Sequence, residues 1–262
     1  MFIRKIKKGI KILREEGLKE FLIRFFYFIN TKTTKILEVL FYPYIVFKLK
    51  KIQSNNLEEI ISFAWNSFFG VIRPTQIKEE ILELLKIIKD QKPKYILEIG
   101  TANGGTLFLF TKIAPDDATI ISIDLPKGPF GGGYPMWRSF LYQKFKKPNQ
   151  KMILLREDSH KKETLEELKK ILNGNQLDFL FIDGDHSYEG VKKDFQMYGS
   201  LVKKGGIVAF HDIAPKGVYE LAGEVPRFWQ EISKQFNVKN IIFDENNQIA
   251  YGIGLLLYDD EK

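Results

Sequence analysis

The chain has 262 residues, 44% of them hydrophobic and 28% charged, which is enough for one large α/β domain with an appendage. It contains no cysteine, which excludes disulfides, thiolate catalysis and cysteine-ligated metals and suits a reducing cytoplasm. The net charge of +7 is uneven, because residues 1–51 hold 13 Lys and Arg against 4 Asp and Glu. The remainder is near neutral, so we expect no nucleic-acid partner.

Residues 1–69 predict a basic, aromatic, helical extension. Apolar and basic residues alternate at helical spacing in 1–13, and the apolar runs at 21–29 and 39–47 are too short to cross a bilayer. In one interpretation the extension lies on the inner face of the membrane, where its cations meet anionic lipid. In another it packs on a second copy of the chain, giving a homo-oligomer, or on the domain itself. The sequence leaves these alternatives open.

Residues 70–262 predict a doubly wound α/β domain, because apolar runs of strand length alternate with amphipathic helical segments. The predicted strands are 95–100, 119–124, 152–156, 177–183, 206–211, 239–243 and 249–258. The predicted helices are 57–69, 74–90, 104–114, 136–146, 161–173, 187–203 and 225–236. Five strand–helix units and a final hairpin make seven strands, and the last pair supplies an antiparallel strand.

A glycine turn joins the first strand of this domain to a helix. Residues 97–105 read Leu-Glu-Ile-Gly-Thr-Ala-Asn-Gly-Gly, and such a turn offers backbone N–H groups to a ligand. The spacing differs from the Gly-x-Gly-x-x-Gly of dinucleotide enzymes. An acid at Glu98 would repel a pyrophosphate, but it suits a ligand with an amino group and a sulfonium charge. Asp124, at the end of the second strand, is placed to accept ribose hydroxyls.

Two later strands end in clusters of ionisable residues. Asp-Gly-Asp-His occupies 183–186, and His-Asp occupies 211–212. The carboxyl ends of the strands form the ligand crevice of an open α/β sheet, so both clusters should share one rim with Gly100 and Asp124. A strand end with a purely structural role can carry one capping acid. Clusters of ionisable residues at two strand ends instead indicate a functional site.

On these motifs, residues 70–258 resemble the class I S-adenosylmethionine (SAM)-dependent methyltransferases. The nearest group is that of cephalosporin-hydroxylase-like and sugar (macrolide or rhamnosyl) O-methyltransferases. The resemblance implies a seven-stranded Rossmann-like sheet with SAM as cofactor. The cofactor-binding residues it implies are Gln76, Glu98, Gly100, Asn103, Gly104, Asp124, Asp158 and Asp183. For Asp158, a role as N-cap of the helix at 161–173 is an open alternative.

The resemblance also implies a divalent cation, which would lower the pKa of an acceptor hydroxyl. Asp183, His211 and Asp212 are the expected ligands. Carboxylates suit Mg²⁺, while a histidine ligand also admits Mn²⁺. His186 is the expected catalytic base because imidazole titrates near neutrality, and Asp185 competes for that role.

A glycine-rich loop at 126–135 is expected to cover the acceptor, although an ordinary connection with buried aromatics is an alternative. The expected acceptor contacts are Tyr134, Trp137, Arg138 and Tyr188. The expected function is metal-assisted O-methylation of a sugar hydroxyl on a glycan or glycolipid precursor. Two alternatives stay open: a small-molecule O-methyltransferase for a phenolic or antibiotic-like acceptor, and a catalytically inactive binding subunit with this fold.

Overall fold

A computed structural model describes residues 39–52, 54–67, 70–128, 133–215 and 222–259. The chain divides into two compact units, Met1–Lys48 and Leu49–Lys262. Most of the basic extension, and the centre of the loop predicted at 126–135, lie outside the described residues. Within the described part of the chain, no helix is both long and apolar enough to cross a membrane.

Strands and helices alternate through the larger unit, in the order expected from the sequence. The strands are β1 (Tyr95–Ile99), β2 (Thr119–Ile123), β3 (Lys151–Leu155), β4 (Leu177–Ile182), β5 (Val202–His211), β6 (Asn237–Ile241) and β7 (Ile253–Tyr258). The helices are α1 (Tyr42–Lys51), α2 (Leu57–Asn66), α3 (Lys78–Gln91), α4 (Gly105–Ile113), α5 (Arg138–Tyr142), α6 (Lys162–Leu172), α7 (Tyr188–Tyr198) and α8 (Val225–Ile232).

The seven strands form a single sheet in the order β3-β2-β1-β4-β5-β7-β6. Strands β1 to β5 are parallel, and β7 runs antiparallel to both of its neighbours, β5 and β6. The predicted doubly wound, seven-stranded α/β sheet is therefore confirmed, including its terminal antiparallel pair.

Helices cover both faces of the sheet, which explains why its central strands are buried along almost their whole length. On one face, Phe110 of α4 packs edge-on against Phe179 and Phe181 of β4. Helix α2 lies on α4 there through stacked rings of Phe63 and Phe108. The other face carries a second apolar cluster that includes side chains of α6, α7 and α8. Burial of apolar area on both faces stabilises the sheet at about 25 cal/mol per Å².

Several element boundaries differ from those predicted: for example, α5 covers only Arg138–Tyr142 of the predicted 136–146, and α8 ends at Ile232 rather than 236. Strand β5 begins at Val202 rather than 206, because a positive φ of 76° at Gly205 and a register shift in the pairing with β4 carry the strand through a glycine pair. The helix predicted over 187–203 ends at Tyr198 and continues as a 3₁₀ turn. Strand β7 begins at Ile253, since Tyr251 and Gly252 have left-handed φ values of 65° and 82°.

The register of the parallel strands aligns their carboxyl ends. Ile99 pairs with Ile123 of β2 and with Ile182 of β4, and Ile182 pairs with Phe210 of β5. The residues that follow these strands therefore lie along one edge of the sheet, where polar side chains replace apolar ones.

Candidate active site

A cavity of about 480 Å³ lies at this edge of the sheet. Its lining includes residues that directly follow β1, β2, β4 and β5, together with a loop after β3. Of the residues predicted to bind cofactor, metal or proton, those lining it are Gly100, Asp124, Asp158, Asp183, Asp185, His186, His211 and Asp212. The expectation that residues from four strand ends share one rim is therefore met.

The glycine turn after β1 brings backbone close to the rim. Gly100 has a φ of 89°, and a Cβ there would collide with the carbonyl of Asp183. Gly104 has a φ of 76° at the start of α4, where a Cβ would lie 2.6 Å from the ring of Tyr142. Glycine is required at both positions by conformation and by space.

Asp124 holds this turn in place. Its Oδ2 accepts hydrogen bonds from the backbone N–H of Thr101 (2.8 Å) and of Ala102 (2.7 Å). Burial raises the pKa of Asp124, while these N–H groups oppose that rise. Its Oδ1 is buried with no hydrogen-bond partner among the described residues. The carboxylate thus retains an acceptor for a ligand hydroxyl, and ribose binding stays a prediction.

Glu98 lies beneath the turn and not in the cavity wall. Its side chain is completely buried, and burial raises its pKa to about 8, with the hydroxyls of Thr106 and Thr101 acting in the opposite direction. The structure therefore does not bring Glu98 to the cavity surface, where the sequence placed it beside an amino group.

An acid–histidine cluster occupies the part of the rim after β4 and β5. Nδ1 of His186 lies 3.2 Å from Oδ2 of Asp212, and its Nε2 lies 3.5 Å from Oδ1 of Asp183. Nδ1 of His211 lies 3.1 Å from the same Asp183 oxygen and 3.5 Å from Oδ2 of Asp212. Two carboxylates and two imidazoles thus share one small volume.

These charges stabilise one another. Burial disfavours a charged His211, yet Asp183 and Asp212 raise its pKa well above the ordinary value. Burial also opposes charge on His186, but Asp183 and Asp212 raise its pKa. Burial alone would raise the pKa of Asp183, whereas the two histidines hold it far below the usual range. Within the cluster, the ionised form of Asp183 and the charged forms of the two histidines therefore stabilise one another.

The residues present fit a divalent cation. Asp183, His186 and Asp212 each offer one ligand atom, and these atoms lie within 4.8 Å of one another. A donor set of two carboxylates and one imidazole suits Mn²⁺ or a similar ion better than Mg²⁺. This set contains His186 in place of the predicted His211. Nε2 of His211 is instead buried with no hydrogen-bond partner in the described chain.

Backbone and side-chain contacts outside the cluster fix its two carboxylates. Nε2 of Gln76 donates to Oδ2 of Asp183 over 2.9 Å, a contact different from the cofactor-pocket role expected for Gln76. Asp212 has a φ of 64°, a conformation that is uncommon for a residue with a side chain. Its Oδ1 accepts the N–H of Tyr251 at 3.0 Å. Such a conformation at a rim is typical of a functional position.

The loop that supplies Tyr251 is itself held by Glu80 of α3. This buried carboxylate accepts hydrogen bonds from the backbone of Phe243 (3.0 Å) and of Gly252 (3.0 Å), and from Nε2 of Gln248 (2.7 Å). Sequence analysis gave no role to Glu80, because the contact joins residues far apart in the chain.

His160 is a cavity residue that the sequence interpretation missed. Its Nε2 lies 3.3 Å from Oδ1 of Asp194 and 3.2 Å from the carbonyl oxygen of Gly190. Asp194 is fully buried, and its hydrogen bond raises the pKa of His160. All three histidines of the chain therefore line this cavity. The available signal was the position of His160 just after the third strand.

Asp158 and Asp185 line the same cavity. Oδ1 of Asp158 accepts the N–H of His160 at 2.9 Å, while Lys161, and not Asp158, is the N-cap of α6. Oδ1 of Asp185 accepts the N–H of Ser187 at 2.9 Å. Each carboxylate is thus oriented by a local turn, and Asp158 is not the helix cap considered from the sequence.

The four predicted acceptor contacts do not line the cavity. Tyr134 is buried, with its ring 4.9 Å from that of Tyr142. Nη1 of Arg138 donates to Oδ1 of Asn103 at 2.8 Å, so a predicted substrate residue pairs with a predicted cofactor residue. The guanidinium of Arg138 also lies 5.8 Å from the ring of Trp137.

Tyr188 faces away from the cluster, toward α8. Its hydroxyl donates to Glu231, and the guanidinium of Arg227 lies 4.5 Å from its ring centroid. The structure therefore supports buried or surface packing for these aromatics, as in the alternative considered for the loop at 126–135.

Comparison with known proteins shows that the sequence of this chain is similar to those of methyltransferases. The family model Methyltransf_24, described as a methyltransferase domain, matches residues 97–213. Tapetum-specific methyltransferase 1 of Arabidopsis thaliana is 30% identical over 188 residues, which cover 68% of this chain and 75% of that protein. Caffeoyl-CoA O-methyltransferase of Populus kitakamiensis is 26% identical over 212 residues, or 78% and 85% of the two chains.

Two further similarities are shorter or weaker. An uncharacterized protein of Acanthamoeba polyphaga mimivirus is 53% identical over 38 residues, so this chain spans 17% of its length. The solved structure of a Staphylococcus aureus protein assigned as a caffeoyl-CoA O-methyltransferase has a TM-score of 0.50 and 18% identity, and covers 86% of this chain and 99% of its own. That likeness supports the fold.

Proposed function

Because the chain belongs to the SAM-dependent O-methyltransferases, we propose that it methylates a sugar hydroxyl of a glycan or glycolipid precursor with the help of a divalent cation. The single observation that carries the proposal is the cluster of Asp183, His186 and Asp212 at the ends of two neighbouring strands. A sugar hydroxyl has a high pKa, so its methylation needs both a positioned base and a cation at the oxygen.

The cavity supplies the binding groups for the cofactor in this proposal. Gly100 and Ala102 of the glycine turn line the cavity, and Oδ1 of Asp124 is available to accept a ribose hydroxyl. Asp158 and His160 form the wall after β3, where the resemblance implies a cofactor contact at Asp158. When bound, SAM supplies an electrophilic methyl group next to a positive sulfur.

We propose that His186 serves as a metal ligand and that Asp185 is the general base. Both ring nitrogens of His186 face carboxylates, so the imidazole shares with Asp183 and Asp212 the small volume in which one cation could be held. Asp185 lines the cavity two residues from Asp183. In the reaction the hydroxyl oxygen gains the methyl group as the bond from sulfur to methyl breaks, and the hydroxyl proton passes to Asp185.

The cation would be held by Asp183, His186 and Asp212, with Gln76 and Tyr251 orienting the two carboxylates. When bound, it supplies a positive charge that lowers the pKa of the acceptor hydroxyl and orients it. His211 contributes through its contact with Asp183 and not as a ligand.

The decisive experiment is a methyl-transfer assay with methyl-labelled SAM and separated acceptor classes. We expect label on sugar-containing acceptors, inhibition by a chelator, restoration by Mn²⁺, and no transfer by Asp183→Asn. Label only on phenolic acceptors would favour the alternative that the names of the caffeoyl-CoA relatives suggest. Intact binding of S-adenosylhomocysteine without any turnover would identify a binding subunit instead.

We further propose that the basic extension attaches this cytoplasmic enzyme to an anionic membrane surface. In the smaller unit, Leu40 is 67% exposed and Phe41 is 46% exposed, next to a sequence rich in cations. Full-length protein should sediment with anionic vesicles and be released by salt, while a chain lacking residues 1–48 should not sediment. A change from dimer to monomer in that shortened chain, without vesicle binding, would show an assembly role.

A further inference from the structure

A second cavity, of about 580 Å³, lies in the larger unit and shares no lining residue with the first. It is bounded by the C-terminal end of α4, the loop after α5, the C-terminal end of α1 and the segment that follows α1. Its basic lining residues are Lys50, Lys112, Lys144, Lys146 and Lys147. A nine-residue helix is about 13 Å long, so α4 separates this cavity from the glycine turn at its other end.

The charges lining this second cavity are unbalanced. Asp116 is its one acidic lining residue, and its carboxylate lies 3.1 Å from Nζ of Lys147. Lys112, Lys144 and Lys146 make no ion pair within the described chain. Several ammonium groups therefore face one space without carboxylates to neutralise them.

Lys112 is the most informative of these residues because it is only 8% exposed. Burial lowers its pKa to about 8, and the charge of Lys147 lowers it further. Its Nζ lies 5.5 Å from the ring centroid of Phe108, a contact that compensates in part for lost hydration. Lysine is rarely this buried unless it is paired, and Lys112 makes no ion pair within the described chain.

Helix capping accounts for only one of the lysines. Nζ of Lys147 donates to the carbonyl of Ala114 at 2.8 Å, and Nε2 of Gln150 donates to the carbonyls of Thr111 (3.0 Å) and Ala114 (3.3 Å). These bonds cap the C-terminal end of α4. They leave Lys112 and the two exposed lysines of the loop without a structural explanation.

We propose that this lysine-lined cavity binds a phosphate group of an anionic ligand. A phosphate carries up to two charges and three acceptor oxygens, so several ammonium donors can converge on it, and lysine binds phosphate as a point charge. The volume exceeds that of one phosphate, which leaves room for a second phosphate or for the group that carries the first. The ligand is either a soluble phosphate compound or the headgroup of an anionic phospholipid.

Calorimetry with inorganic pyrophosphate tests the soluble source, using full-length protein in metal-free buffer with S-adenosylhomocysteine bound. Lys112→Met keeps the aliphatic stem and removes the charge, while Lys144→Gln with Lys146→Gln changes exposed positions only. We expect each variant to weaken pyrophosphate binding at least about tenfold, or about 1.4 kcal/mol. Lys170→Gln, an exposed lysine of α6, is the matched control and should bind as the wild type does.

Sedimentation with vesicles tests the lipid source, comparing phosphatidylglycerol in phosphatidylcholine with phosphatidylcholine alone. Binding that the same variants weaken supports a headgroup, whereas pyrophosphate binding that they weaken supports a soluble ligand. If neither ligand binds, or if the variants and the control bind equally, the proposal is overturned. Unchanged affinity for S-adenosylhomocysteine in each variant would show that the fold is intact.

Discussion

Nε2 of Gln76 donates a 2.9 Å hydrogen bond to Oδ2 of Asp183, which lies 107 positions later in the chain. Gln76 is only 6% exposed, so this bond is shielded from water. It directs Oδ1 of Asp183 toward the two histidines of the cluster. Gln76 is therefore a positioning residue for the carboxylate that we propose as a metal ligand.

Replacing Gln76 should weaken cation binding more than cofactor binding. Loss of a hydrogen bond to a metal-ligating carboxylate typically costs about 10- to 100-fold in metal affinity. We expect this loss of Mn²⁺ affinity in Gln76→Leu by calorimetry, and a larger loss in Gln76→Glu, where a second carboxylate would face Asp183. An equal fall in S-adenosylhomocysteine affinity would assign Gln76 to the cofactor pocket, as the resemblance implied.

Variants of His186 and Asp185 should differ in their effects on Mn²⁺ affinity and on the rate of methyl transfer. His186→Ala removes a ligand and should lower Mn²⁺ affinity at least about tenfold, since three protein ligands become two. Asp185→Asn should retain Mn²⁺ and cofactor binding but lose methyl transfer by about 100-fold or more, as expected for a general base. If His186→Ala binds Mn²⁺ normally yet is inactive, the two roles are reversed.

Glu98 should make stability depend on pH. Its ordinary pKa of 4.5 is raised to about 8 by burial, so the folded protein holds a proton that the unfolded chain releases between these values. The free energy of unfolding should therefore fall as pH rises through this window, by about 1.4 kcal/mol per unit at most, and level off above the folded pKa.

The matched variant for this test is Glu98→Gln, which has no proton to lose. Its free energy of unfolding, measured in denaturant from pH 5 to 9, should depend less on pH than that of the wild type. The free energy of unfolding of the variant should exceed that of the wild type by the largest amount at pH 9. Parallel curves for the two proteins would show that Glu98 is ionised when folded.

The contact between His160 and Asp194 should hold the pKa of His160 above its ordinary value. In Asp194→Asn the imidazole loses its charged partner, so NMR titration should show a lower pKa for His160. The signal is assigned by its absence in His160→Gln. Because His160 lines the cavity, both variants should weaken S-adenosylhomocysteine binding by about threefold to tenfold, near 1 kcal/mol. Unchanged affinity would limit this pair to a structural role.

The positions of the strands along the chain and the shared rim were predictable because each depends on local patterns. Apolar runs mark buried strands, and the acids at 124, 183 and 212 directly follow such runs. The carboxyl ends of parallel strands must then meet, so even the pairing of the clusters after β4 and β5 follows from topology.

Contacts made by side chains across the fold were not predictable in this way. Gln76 and Glu80 reach loops more than a hundred residues away, and only three-dimensional packing decides which polar groups they meet. Glu98 has the sequence position of a rim residue, yet its side chain is buried because helices cover both faces of the sheet at β1. Tyr134 and Arg138 were assigned by residue type alone, and the packing of the loop buries both.

The start of α3 determines the geometry of both carboxylates in the cluster. Gln76, just ahead of this helix, holds Asp183 directly, while Glu80, in its first turn, holds the loop whose Tyr251 N–H binds Asp212. The two anchors are four residues apart, on either side of the point where α3 begins at Lys78. A shift of this short segment would therefore move both carboxylates, which makes their placement a property of residues outside the sheet.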